Sequence, residues 1–243
     1  WQGRRYALAY CNGTAALTAA MFAIGLSQGD EIICPTKTYW ASVSQAQTFG
    51  ATAVFCNINE MLSLDPDDLE RCITPKTKAI VVINPNNPTG ALYPKELLEQ
   101  IVDVARRHEL IIFSDEMYDR LVFDGEQHIS IASLAPDLFC VTFSGLSKSH
   151  MVCGFRVGWM ILSGNKRIAK DYIQGVNMLA NMRLCSNVPA QSIIQTALGG
   201  IQTGDALFQP GGRIYEQRDF IYEALNSIPG VSATKPKGAF YIF

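Results

Sequence analysis

Short apolar runs alternate with helically spaced apolar residues along the chain. Residues 6–10 read as a strand and 14–24 as a helix; 31–34 is a second strand, followed by a helix from about Tyr39, and 51–57 is a third strand. A short helix is expected at 67–72, where Asp65-Pro66 supplies an oxygen cap and a preset φ for the first turn. The β-branched run 78–83 is a strand, and 94–108 is an amphipathic helix opened by proline. Runs 110–114, 139–143 and 157–162 complete the strands, the pattern beyond Gly164 is largely helical with a long helix over 212–226, and 238–243 again reads as a strand.

This alternation predicts an α/β fold, with a mostly parallel seven-stranded sheet and helices on both faces. In such sheets ligands sit beyond the carboxyl ends of the strands. No repeat, low-complexity stretch or linker divides the chain, so 1–243 reads as one large domain.

Composition narrows the function classes. Hydrophobic residues make up 48% and charged residues 17%, enough for a sizeable core, and the net charge of −2 argues against a nucleic-acid surface. No apolar stretch reaches membrane-spanning length, so no membrane partner is expected. The 7 cysteines are scattered without a Cys-x-x-Cys pair, which signals neither a metal site nor a disulfide framework. Buried, reduced thiols in a cytoplasmic protein are the expected state. The chain starts at Trp1 without a signal peptide, and together with the closing run 238–243 this reads as a piece of a longer protein.

The candidate chemistry lies just after the predicted strands. Ser144-Gly145-Leu146-Ser147-Lys148 places a lysine after a turn of small residues, and Gly154-Phe155-Arg156-Val157-Gly158-Trp159 brings an arginine back nearby. Such a lysine can form a Schiff base with a carbonyl cofactor, and Arg156 can grip a phosphate with two parallel bonds. Taken alone, both are more often surface side chains; the neighbouring segments reverse that weighting. Asn12-Gly13-Thr14-Ala15 ends a strand and opens a helix, where backbone N–H groups and the Thr14 hydroxyl suit a phosphate or merely cap the helix. Ser114-Asp115-Glu116-Met117-Tyr118 puts a carboxylate at a strand end, able to pair with a protonated pyridine nitrogen or to serve only as a turn. The loop Asn84-Pro85-Asn86-Asn87-Pro88-Thr89-Gly90 fixes its own path and can aim Asn87 at a phenolate oxygen.

In order and spacing, these motifs resemble class I aminotransferases of the pyridoxal 5'-phosphate (PLP) fold type I. The segments 182–191 and 195–200 resemble the bacterial alanine (glutamate–pyruvate) branch. Before about residue 80, Asn12-Gly13-Thr14-Ala15-Ala16-Leu17, Gln28-Gly29-Asp30-Glu31 and Ile73-Thr74-Pro75-Lys76 resemble the DegT/StrS-type sugar aminotransferases, also of fold type I, with a seam near 78–84.

The resemblance implies the large domain of that fold, with the start of a small domain at about 231–243. It implies that Lys148 holds the cofactor and moves the substrate proton, and that Asp115 pairs with the ring nitrogen. Asn87 and Tyr118 bond the ring oxygen, Tyr39 stacks on the ring, and Gly13, Thr14 and Arg156 hold the phosphate. The neighbouring Trp40 is expected to pack and Lys37 to be a solvated loop lysine. The implied reaction moves an amino group between an amino acid, alanine or glutamate in kind, and a 2-oxo acid, in a homodimer. A non-transaminating PLP enzyme and a non-catalytic PLP module stay open on the same fold. Gly145 departs from the phosphate-binding serine of many members. The family's arginine for the substrate carboxylate belongs to the small domain, so this chain is expected to bind PLP but to turn over amino acids poorly.

Overall fold

The computed structural model describes residues 6–184 and 187–243; Trp1 and, within the 182–191 segment, Cys185 and Ser186 lie outside the described residues. Its seven strands are β1 (Tyr6–Tyr10), β2 (Glu31–Pro35), β3 (Thr52–Cys56), β4 (Thr77–Ile83), β5 (Ile111–Asp115), β6 (Cys140–Gly145) and β7 (Gly158–Ser163). They form one sheet in the order β1-β7-β6-β5-β4-β2-β3. Pairs β2–β3, β2–β4, β4–β5 and β5–β6 are parallel, as expected. β7 is antiparallel to both β6 and β1, so the sheet is mixed. The cause lies in the connection. A parallel neighbour needs a long crossover, and between β6 and β7 the chain makes only a one-turn helix, Leu146–Ser149, and a 3-10 turn, Cys153–Phe155.

The helices follow in chain order: α1 (Gly13–Ala23), α2 (Trp40–Thr48), α3 (Pro66–Cys72), α4 (Lys95–Arg107), α5 (Ile131–Leu134), α6 (Leu146–Ser149), α7 (Lys170–Met182), α8 (Val188–Ser192), α9 (Ile194–Gly199) and α10 (Arg213–Asn226). Strand alternation sorts the core into two layers. In β4, Ala79, Val81 and Ile83 pack with α1, α2 and α7, whereas Ile80 and Val82 pack with α3, α4 and α5. Both faces of the sheet are therefore covered, which explains why β4 is a continuous apolar run. Helix α4 shows the local logic. Leu97, Leu98, Ile101, Val102, Val104 and Ala105 are its buried stripe, while Arg106 and Arg107 stand in the last turn, where cations favour the helix dipole.

Helix α10 is held differently, by Arg218. This arginine is 4% exposed; it bonds Asp124 at 2.7 and 3.0 Å and Asp219 at 2.8 Å, between the rings of Phe123 and Tyr215.

Three expectations are corrected. Residues 238–243 form no strand; Gly238 makes one isolated bridge with Val122, and a strand needs a continued ladder to persist. Trp40 is 62% exposed and touches the Tyr39 ring at 5.6 Å instead of packing into the core, because it opens α2 on the solvent side of the turn. Among the described cysteines, Cys34, Cys56 and Cys140 are buried as expected, but Cys11 and Cys72 are half-buried and Cys153 is exposed in the short β6–β7 link.

Candidate active site

The carboxyl ends of β4, β5 and β6 and the amino end of α1 converge on one cavity of about 210 Å³. Gly13, Thr14, Tyr39, Asn87, Asp115, Tyr118, Lys148 and Arg156 all line it, so the structure brings together every residue singled out in the sequence. Asn12, Met117, Ser147, Cys153 and Tyr241 line it as well. Ser147 and Met117 are sequence neighbours of predicted residues and could have been found by adjacency. No local signal marks Tyr241, which arrives from the far end of the chain.

At the amino end of α1, Asn12 Oδ1 accepts the Ala15 N–H at 2.8 Å and the Asn12 carbonyl accepts the Ala16 N–H at 3.2 Å. The Gly13 and Thr14 N–H groups stand outside these two bonds, at the positive end of the helix. Close packing makes the cradle. A Cβ on Gly13 would meet Met117 Cε at 2.6 Å, and one on Gly158 would meet the Asn12 backbone at 2.5 Å. β7 can therefore press directly against the turn that presents these donors. Arg156 adopts the left-handed conformation at φ 55°, and its guanidinium donates to the Cys153 carbonyl while facing the cavity.

Asp115 ends β5. Its Oδ1 accepts the Met117 N–H at 3.1 Å, and burial pushes its carboxyl up to about 6. This half-buried acid has one backbone donor and, among the described residues, no ion pair to stabilise its charge. Lys148 sits half-buried in α6, its Nζ 5.7 Å from the centre of the Phe240 ring. Burial raises the pKa of the Tyr118 hydroxyl, and the Tyr241 hydroxyl 2.6 Å away raises it further.

A lysine, a half-buried carboxylate and a helix amino terminus stand around one pocket at the strand ends, groups able to hold an anionic ligand with a carbonyl for the lysine. A family model described as "Aminotransferase class I and II" matches residues 2–243, on both sides of the 78–84 strand, and the chain belongs to that family. Glutamate-pyruvate aminotransferase AlaA of Escherichia coli K12 is 51% identical over 234 residues, covering 96% of this chain and 58% of the relative. Alanine aminotransferase of Mycobacterium tuberculosis H37Rv is 49% identical, over 96% of this chain and 54% of the relative. Among solved structures, an aminotransferase from Escherichia coli superposes with a TM-score of 0.93 at 50% identity, over 96% of this chain and 58% of that one. The alanine aminotransferase of Pyrococcus furiosus gives 0.92 at 38% identity, over 97% and 60%. The chain thus spans 54–58% of the length of these two curated relatives.

Enzymes of this family use pyridoxal 5'-phosphate, and the residues present fit it. The cradle that a Cβ would fill suits a phosphate, and the uncompensated Asp115 suits a ring cation.

Proposed function

We propose that this chain forms the PLP-binding part of an aminotransferase, which moves an amino group between an amino acid of the alanine or glutamate kind and a 2-oxo acid. The observation that carries this reading is the convergence of Lys148, Asp115, Asn87, Tyr118, Tyr39 and the phosphate cradle on one cavity. The names of the relatives support alanine and glutamate over other amino acids.

When bound, PLP supplies an electron sink that stabilises negative charge at the substrate α-carbon. Lys148 Nζ would anchor the cofactor and would move the proton between the substrate α-carbon and the cofactor. Asp115 keeps a proton on the ring nitrogen by its charge. Asn87 and Tyr118 donate to the ring oxygen, and Tyr39 covers a ring face and excludes water there. The Gly13 and Thr14 N–H groups, the Thr14 hydroxyl and Arg156 hold the phosphate and so fix the distance from Lys148 to the substrate.

The partner in this reading is a second copy of the chain. Phe22, Met178, Met182 and Leu184, all more than half exposed, supply an apolar surface for it. Among the described residues no helix is long and apolar enough to cross a membrane, and a cytoplasmic setting suits the free thiols.

The test is to incubate the chain with PLP, reduce with borohydride and map the labelled peptide. Label confined to Lys148 is the expected result. Scattered or absent label would overturn the reading.

A further inference from the structure

Behind the cavity lies a buried polar pair that the proposed chemistry leaves unused. Glu116, directly after Asp115, is 1% exposed. Its Oε1 accepts the hydroxyls of Ser114 at 2.9 Å and Ser130 at 2.7 Å. Its Oε2 has no hydrogen-bond partner and faces His128 Nε2 at 3.8 Å, and that nitrogen is buried without a partner too. The His128 ring also lies against the backbone of Asn84, which acts to raise its pKa.

These contacts link the three walls of the site. Asn84 opens the loop that carries Asn87, and its N–H donates to the Asp115 carbonyl at 3.0 Å. Glu116 N–H donates to the Phe143 carbonyl at 2.9 Å, and the Ser144 hydroxyl donates to the Glu116 carbonyl at 3.3 Å. Phe143 and Ser144 belong to β6, which runs into the turn bearing Lys148. Glu116 therefore touches the Asp115 strand and the Lys148 strand through its backbone, and the Asn87 loop through His128.

We propose that Glu116 and His128 form a carboxyl–imidazole strut, Glu116 Oε2 and His128 Nε2 facing each other across 3.8 Å and closing to a hydrogen bond by a small side-chain rotation, that sets the Asn87 loop against Asp115 and Lys148. Both are positioning residues, and the assignment of what they position rests on the cofactor reading above. The proton count closes. A neutral imidazole that donates from one nitrogen accepts at the other, and a protonated carboxyl has the hydrogen to give. The pair then carries no net charge into the interior, where a lone carboxylate is costly. Burial acts in that sense on both groups, pushing Glu116 up to about 8 against the lowering by the Ser130 and Ser114 hydroxyls, with a smaller push from Asp119 and Asp115, and pushing His128 down to about 4.

The test compares Glu116→Met and His128→Phe, which remove the bond, with Glu116→Gln, whose amide can still donate to His128 Nε2. Amide hydrogen exchange of the cofactor-free chain is the first readout. The two disrupting variants should speed exchange in residues 84–90 by about tenfold while 213–226 stays as in the parent chain, and Glu116→Gln should behave like the parent. The second readout is bound PLP. The disrupting variants should shift its visible absorption maximum and weaken its binding by about tenfold, and the double variant should be no worse than either single one.

Unchanged exchange at 84–90, a uniform rise across the chain, or additive losses in the double variant would overturn the strut. If a disrupting variant does not fold, Ser130→Ala takes away one bond to the carboxyl and should raise exchange in the same segment, with no rise there counting against the proposal. The exchange readout needs no cofactor, so absent labelling of Lys148 would sink the cofactor reading and leave the strut to be judged separately.

Discussion

At the scale of single residues, Asp115 gives the sharpest expectation. Its carboxyl is raised by burial from 3.8 to about 6 in the cofactor-free chain. Between those values the folded chain holds a proton that the unfolded chain has released. Its contribution to stability therefore falls as pH rises from about 4 to about 6. Asp115→Asn removes that dependence, so the variant should gain stability relative to the parent between pH 4 and pH 7, by at most about 3 kcal/mol for a shift of this size. Thermal melts of both chains at each pH check it. The same variant should bind PLP more weakly, since the amide has no charge to hold a proton on the ring nitrogen. The sequence made Asp115, Lys148 and Asn87 legible because each follows a strand within a short, patterned segment. It was silent on what Glu116 touches, because a carboxyl buried against His128 and Ser130 depends on how a loop folds back. It was also silent on the solvent-facing Trp40, since nothing in an aromatic residue beside Tyr39 tells which way a turn directs it.

At the scale of elements, two substitutions separate scaffold from site. Leu98 in α4 is fully buried, and Leu98→Ala should cost about 2–5 kcal/mol in denaturant unfolding with little change in PLP affinity measured on the folded chain. Gly158→Ala works in the opposite way. Its Cβ would meet the Asn12 backbone at 2.5 Å and Gly13 N at 2.7 Å, so β7 must move off the turn that presents the proposed phosphate donors. PLP affinity should fall at least tenfold, by titration, alongside a stability loss of about 1–3 kcal/mol. Periodicity located the strands and the stripe of α4 to within a residue or two. It did not reveal that β7 runs antiparallel, because strand direction is set by the length and path of a connection and leaves no mark on apolar spacing. It also gave 238–243 the look of a strand, since an apolar run does not show whether a neighbouring ladder is there to receive it.

At the scale of the molecule, the sheet seats β1 next to β7, and the cavity takes Asn12 from near one end and Tyr241 from near the other. Contacts so distant in sequence form slowly, because loop closure must precede them. On refolding from denaturant, secondary structure followed by circular dichroism should recover before the chain captures PLP; simultaneous recovery would contradict this order. The overall class, an α/β sheet with its candidate site at the strand ends, was readable from the alternation of elements, whereas the closing of the pocket by residues 237–241 was not.

The segment 237–241 has a consequence for how the protein is made. The N–H groups of Lys237 and Gly238 both reach the Gly90 carbonyl at 3.0 Å, Ala239 N–H reaches the Leu121 carbonyl at 2.8 Å, and the Tyr241 hydroxyl meets Tyr118. During synthesis the pocket lacks this wall until residue 241 has left the ribosome, although Lys148 emerges much earlier. A nascent chain then carries Lys148 in an unfinished pocket, and tight cofactor capture waits for the emergence of residues 237–241 rather than of the lysine.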